Sequence, residues 1–285
     1  AGEATLIGRH AGISLTTGSS NTFIGGRAGQ NTTTAIENVA VGQAALLTNS
    51  TGANNTALGR AALLSNTTAS GNTAVGRNAM VSTTTGANNV SVGHLSLAVN
   101  TTGSSNVAIG MQCLDANTTA SNNTGVGQNA LTANTTGSEN TAVGTDALKA
   151  NTTAGNNTAV GYYSGQANTT GTQNVSLGAY SFYTNTKSNR NTALGYNTLA
   201  SHNLTGDSNG YNTCVGFQAG SDITTGTQNT FIGGLVGDTT TTASNNVAVG
   251  YNSFTANTTG TSNTAMGVDA LDANTTGANN TSLGG

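Results

Sequence analysis

The stretch NVAVGQAALLTNSTGAN, Asn38 to Asn54, is one copy of a phrase that fills the chain. Its Asn-Val-Ala-Val-Gly opening recurs with small changes, and the recurring glycine gives the period. That glycine falls at Gly8, Gly25, Gly42 and onward to Gly284, every 17 residues except for one step of 21 from Gly195 to Gly216. Numbering the phrase 1 to 17 from Asn38, position 1 is Asn in every copy but the first, where it is Ala4. Position 4 is always Val, Ile, Leu or Met, and position 5 is always Gly. Positions 12 to 15 are commonly Asn-Thr-Thr followed by Gly or Ala.

Seventeen residues are too few for a helical repeat, which needs two helices. They suit one coil of a solenoid, with two short extended pieces and glycine at the corners. The expected fold is therefore all-β: a parallel β-solenoid, or β-roll, with one 17-residue repeat per coil. Residues 1–285 form a single repetitive domain of sixteen coils and a fragment, with a four-residue insertion within about 200–211. Coils stacked at the interstrand spacing of about 4.8 Å would make a rod of roughly 77 Å.

Stacking in register explains the composition. Position n of one coil lies on position n of the next, so a charged column sets like charges about 4.8 Å apart, at about 1 kcal/mol per step in water. Charged residues are only 6% of the chain, against roughly 25% in ordinary domains. Proline is absent, because every coil donates to its neighbour's ladder. Asn columns at positions 1 and 12 can stack their amides along the axis.

A volume exchange shows which way side chains point. Position 9 is Leu, Met or Phe in eleven copies, and position 3 is then Ala, Ser or Gly. Position 9 is Gly at Gly12, Gly29, Gly165, Gly220 and Gly237, and position 3 has grown in four of these, to Leu6, Phe23, Cys214 and Phe231. Two side chains sharing one interior space behave this way. The exception, Ala159 with Gly165, leaves a gap for Tyr162 or Tyr163. Alternation along a strand then turns positions 2 and 4 outward. An aliphatic column in water is an association hazard, so the expectation is that partner chains cover it. Parallel chains around an axis, as a homotrimer, would do so. One coil cannot stand alone, and stability must come from its neighbours. Neither end carries an obvious polar cap, so the fibre is expected to continue beyond this segment.

Units such as NVAVGQAAL (Asn38 to Leu46) and NTAVGTDAL (Asn140 to Leu148) resemble the head repeats of trimeric autotransporter adhesins and the repeats of phage tail fibres. The resemblance covers almost the whole chain and implies a trimer of parallel β-rolls. It also implies an extracellular, cell-surface or virion location and a surface that presents binding sites. The 17-residue unit and its Asn-Thr-Thr-Gly segment depart from the adhesin pattern. The expected function is a structural fibre or adhesin. The competing readings are an ice-binding solenoid, with Asn at position 12 and Thr at position 14 on one face, and a polysaccharide-degrading β-helix enzyme. Expected partners are further copies of the chain and a surface carbohydrate or host receptor.

Little in the chain points to chemistry. The ten acids do not stack at one position in adjacent copies, as convergent carboxylates would require, and read as solvated surface groups. His10, His94 and His202 are many coils apart, so no metal and no cofactor is expected. Cys113 and Cys214 occupy small interior positions too far apart for a disulfide. A net charge of −3 leaves no basic footprint for nucleic acid, and no segment is apolar enough to insert in a membrane.

Two features remain. Six of the seven tyrosines fall at Tyr162, Tyr163, Tyr180, Tyr183, Tyr196 and Tyr211, beside the longer unit that carries His202 and Asp207. Aromatic rings next to a loop on a rigid scaffold make a candidate glycan-binding patch. Asn-X-Ser/Thr sequons at Asn49, Asn66, Asn100, Asn117, Asn134, Asn151, Asn168, Asn257 and Asn274 are candidate glycosylation sites.

Overall fold

A computed structural model describes residues 2–284. Its contacts divide the chain into two compact units, Ala1–Asn140 and Thr141–Gly285. Each is a parallel β-solenoid with one coil per repeat, and no described residue is helical.

In the first unit the strands are β1 (Ala4–Ile7), β2 (Asn21–Ile24), β3 (Val39–Val41), β4 (Thr56–Leu58), β5 (Thr73–Val75), β6 (Val90–Val92), β7 (Val107–Ile109) and β8 (Thr124–Val126). Each pairs with the next in parallel, and the register is the repeat itself: Ala40 lies opposite Ala57, and Ala57 opposite Ala74. The second unit runs the same way through β9 (Thr141–Val143), β10 (Thr158–Val160), β11 (Val175–Leu177), β12 (Thr192–Leu194), β13 (Thr213–Val215), β14 (Thr230–Ile232), β15 (Val247–Val249), β16 (Thr264–Met266) and β17 (Thr281–Leu283). The longer repeat leaves the ladder intact, since Thr192 pairs with Thr213.

Each coil has one strand, where two extended pieces were expected. The rest is a chain of turns with left-handed residues at positions 7, 9 and 17, as at Ala44 (φ 59°), Leu46 (φ 53°) and Asn54 (φ 58°). These turns still bond coil to coil: Leu46 N–H donates to Ala62 O at 2.9 Å, and Ala44 N–H to Gly26 O at 2.9 Å. A left-handed Leu is normally unfavourable. Here the twist carries positions 8 and 9 inward together, so Ala45 and Leu46 are both fully buried. Glycine at position 5 is obligatory. At Gly42 φ is +129°, and a Cβ would sit 2.6 Å from the Gly59 carbonyl oxygen.

The interior follows the volume exchange. A Cβ on Gly29 would lie 2.5 Å from the Phe23 ring. The same relation joins Gly237 to Phe231 in the second unit. The expected filler of the Gly165 gap is corrected. Tyr162 is exposed, and the space beside Gly165 is taken by Leu148 of the preceding coil and by Ser176. Cys113 adds another exchange: Gly125 stands where Ala is usual because a Cβ there would be 2.5 Å from the Cys113 sulfur. Both cysteines are free and buried. Burial pushes the Cys113 thiol up to about 12 and raises that of Cys214 as well.

Two asparagine ladders run inside the stack. At position 1, Asn38 Oδ1 accepts from Asn55 N–H at 2.9 Å and from Asn55 Nδ2 at 3.1 Å, and Asn55 Oδ1 accepts from Asn72 N–H at 3.0 Å. At position 12, Asn66 Nδ2 donates to Asn49 Oδ1 at 2.9 Å and to Ala69 O at 3.0 Å. The rule shows most clearly where it lapses. Thr32, Thr83 and Thr240 stand at position 12, and each has a buried hydroxyl with no partner. Asn66 Oδ1, facing the Thr83 coil, is unpartnered too.

Candidate functional site

With positions 1, 3, 8, 9, 12 and 15 turned inward, function must be written on the outward positions. The strand face comes first. Its position 4 column is aliphatic, and Leu58, Ile109, Ile232 and Met266 are 36%, 39%, 41% and 45% exposed. Val175 and Val247 at position 2 add to the same face. In each unit the strand ladder is thus buried on its inner side, while its outer side sets an uncovered aliphatic column beside a column of Thr and Val.

The corner after the strand carries a cluster of aromatic rings in the second unit. Tyr162 and Tyr163 have ring centroids 4.1 Å apart, Tyr163 stacks on Tyr180 at 5.7 Å, and Tyr180 meets Tyr183 at 5.6 Å and Tyr196 at 6.1 Å. Tyr196 stacks on Phe217 at 5.6 Å with an interplanar angle of 11°. The phenol of Tyr162 is raised above its ordinary value, first by its hydrogen bond with Tyr163, and that of Tyr180 first by partial desolvation. Five of the tyrosines singled out in the sequence therefore form one continuous row. Phe217 belongs to it, and Tyr251 lies farther along at position 6, beside Gly234. Reading down position 6 reveals both; reading along the chain for tyrosine clusters does not.

The other three members of the candidate patch lie elsewhere. Tyr211 stands at position 17, before the strand, where Arg190 Nη1 donates to its Oη at 2.8 Å and the guanidinium lies 5.8 Å from its ring centre. Asp207 is on the inserted loop, which folds back along the stack so that Thr170 Oγ1 donates to Asp207 Oδ1 at 2.8 Å. His202 is no surface residue. It takes the place of Asn at position 12, is fully buried, and stacks on Phe182. Its Nε2 lies 3.0 Å from Ser188 Oγ, its Nδ1 has no partner, and burial lowers its pKa to about 4.

The sequon asparagines are the position 12 ladder. Asn49, Asn66, Asn100, Asn117, Asn134, Asn151, Asn168 and Asn257 are buried, and Asn274 is half-buried. The nitrogen that would carry a sugar points inward: Asn117 Nδ2 donates to Asn100 Oδ1 at 2.9 Å and to Ala120 O at 3.1 Å. The folded coil leaves no room for a glycan on those eight side chains. The reading of all acids as solvated is corrected at Asp146, which is buried and paired with Lys149 at 3.3 Å. Desolvation raises the half-buried Asp238 carboxyl. Among the described residues no three His, Cys, Asp or Glu side chains are placed to hold a metal, and no helix is long and apolar enough to cross a membrane.

No family model matches the chain, and no curated protein or solved structure matches it.

Proposed function

We propose that the chain is a segment of a binding fibre, a parallel homotrimer that holds its outward corners rigidly for attachment to surface carbohydrate. The observation that carries this reading is the uncovered aliphatic column at position 4. Soluble proteins seldom expose long continuous apolar patches, and a patch repeated at every coil is best covered by identical patches on further copies. The aromatic row of the second unit is the surface for sugar, because a row of rings offers apolar faces with polar hydroxyl tips. A fibre of this kind works outside the cell or on a virion, by reach and multivalency. It performs no catalysis.

Sedimentation equilibrium tests the assembly. A mass of three chains is expected, and Val75→Glu with Val92→Glu, which places charge in the outer column, should release single chains that keep their β signal. A single-chain mass for the parent would end the proposal.

One observation favours a second reading, ice binding. Position 14 is an exposed Thr in every coil of the first unit, from Thr17 to Thr136. The Asn at position 12 does not join that face, because it is inside the coil. Thermal hysteresis would support ice binding over adhesion.

A further inference from the structure

The corner that carries aromatic rings in the second unit carries cations in the first. Every Lys or Arg of residues 1–140 lies there: Arg9, Arg60 and Arg77 at position 6, and Arg27 at position 7. His10 and His94 occupy the same two positions, and all six are exposed. The four acids of this unit are elsewhere. Glu3, Glu37 and Glu139 are at position 17, across the strand, and Asp115 is at position 10. Among the described residues none of the four guanidinium groups has a hydrogen-bond or carboxylate partner within the chain.

This arrangement breaks the rule that governs the rest of the sequence. Arg60, Arg77 and His94 fall at one position on three consecutive coils, so Arg60 and Arg77 are like charges one rung, about 4.8 Å, apart. Folding gains nothing from that repulsion, since the six side chains pack no interior. An anion lying along the corner would remove it. Near the start of the row Arg9, His10, Gly26, Arg27 and Gln43 line a depression of about 340 Å³, large enough for a sugar ring.

We propose that this basic corner binds a carboxylated polysaccharide laid along the coils. A polyuronate carries one carboxylate per sugar ring, a repeat of the same order as the rung spacing, and Arg grips carboxylates through paired N–H donors. Nucleic acid fits less well. Four Arg and four acids leave the unit with no net charge beyond its histidines, and a duplex, with a charge every ~1.7 Å, is held by broad basic surfaces. Single strands are held on aromatic platforms, and the cationic row holds no aromatic ring other than imidazole. The proposal does not depend on how many chains associate.

Fluorescence anisotropy with a labelled oligogalacturonate and the full chain provides the test. Binding is expected at low ionic strength and should weaken steeply with added salt. Arg60→Gln with Arg77→Gln should lower affinity by roughly tenfold or more, the worth of a charged hydrogen bond. Lys187→Gln should leave it unchanged. Neutral dextran should not bind, and single-stranded DNA of equal charge should bind more weakly. Far-UV circular dichroism and sedimentation on the same samples check fold and chain number; Arg9→Gln with Arg27→Gln stands in if the first pair fails to fold. The proposal is overturned if oligogalacturonate does not bind, if the arginine variants bind it as the parent does, or if DNA binds as tightly. It is also overturned if those variants change chain number, which would make the corner a contact between copies.

Discussion

The two units are built on one repeat, yet they use it differently. In the first, six of the eight coils set a small residue at position 3 against Leu or Met at position 9, and the corner after the strand is cationic. In the second, four Phe and Ile side chains, Phe182, Ile223, Phe231 and Phe254, enlarge the core, a histidine replaces a ladder asparagine, and the same corner is aromatic. At positions 3 and 9 the interior changes largely in compensated pairs, because an added carbon meets a packed neighbour within its own or the adjacent coil. The corner changes freely, because its side chains meet solvent. A solenoid of this kind separates a volume-constrained inside from a writable outside, coil by coil.

That separation can be tested from its strongest consequence downward. Phe23→Ala empties a fully buried site and is expected to cost about 3–5 kcal/mol. Gly29→Leu alone should be at least as harmful, since its first side-chain carbon meets the Phe23 ring. The double variant recreates the commoner Ala/Leu pair and should recover most of the loss, a large coupling in a double-mutant cycle by urea denaturation. Additive losses would show that the two side chains do not share a space.

Next is His202, which ties interior packing to pH. Its pKa falls from the usual 6.5 to about 4 through burial. Below pH 6.5 the unfolded chain binds a proton that the folded chain refuses. Its contribution is therefore intact above pH 6.5 and is lost as pH falls to about 4, a change of about 3 kcal/mol. His202→Asn, which restores the residue usual at position 12, should flatten this dependence. Hydrogen exchange of amides near Leu199 at pH 7 and pH 4.5 would measure it, and an unchanged pH dependence in the variant would rule out the histidine as its source.

The smallest expected effect is a gain. Thr83 interrupts the position 12 ladder and leaves its own hydroxyl and Asn66 Oδ1 without partners. Thr83→Asn should supply the missing donor and raise stability by about 1–3 kcal/mol, seen as a higher urea midpoint with an unchanged slope. A neutral result would mean that the amide ladder adds nothing beyond filling space.

Much of this was legible in the residues. The period, the parallel register, the inward turn of positions 3 and 9, the asparagine columns and the buried thiols all follow from repetition. In a stack every column is a set of parallel trials of one environment, so residue choice down a column reports that environment. The aromatic patch was legible only in part. Proximity along the chain gathered Tyr211, His202 and Asp207 with the other tyrosines, whereas proximity in a solenoid runs between equal positions of successive coils. The sequons carried two readings, a glycan acceptor and a rung of an amide ladder; repetition down position 12 offered the ladder, and the coil path that forms it turns the amides inward.

What repetition determined was the coil, its period and which residues share an interior, because stacking makes each position meet itself. What folding alone decided was the path of the chain between strands. Left-handed Leu at position 9 runs against local preference, and only inter-coil hydrogen bonds with a side chain buried in the neighbouring rung outweigh that cost. The same path turns position 12 inward and position 6 outward, so it also settled which residues are structure and which are free to bind.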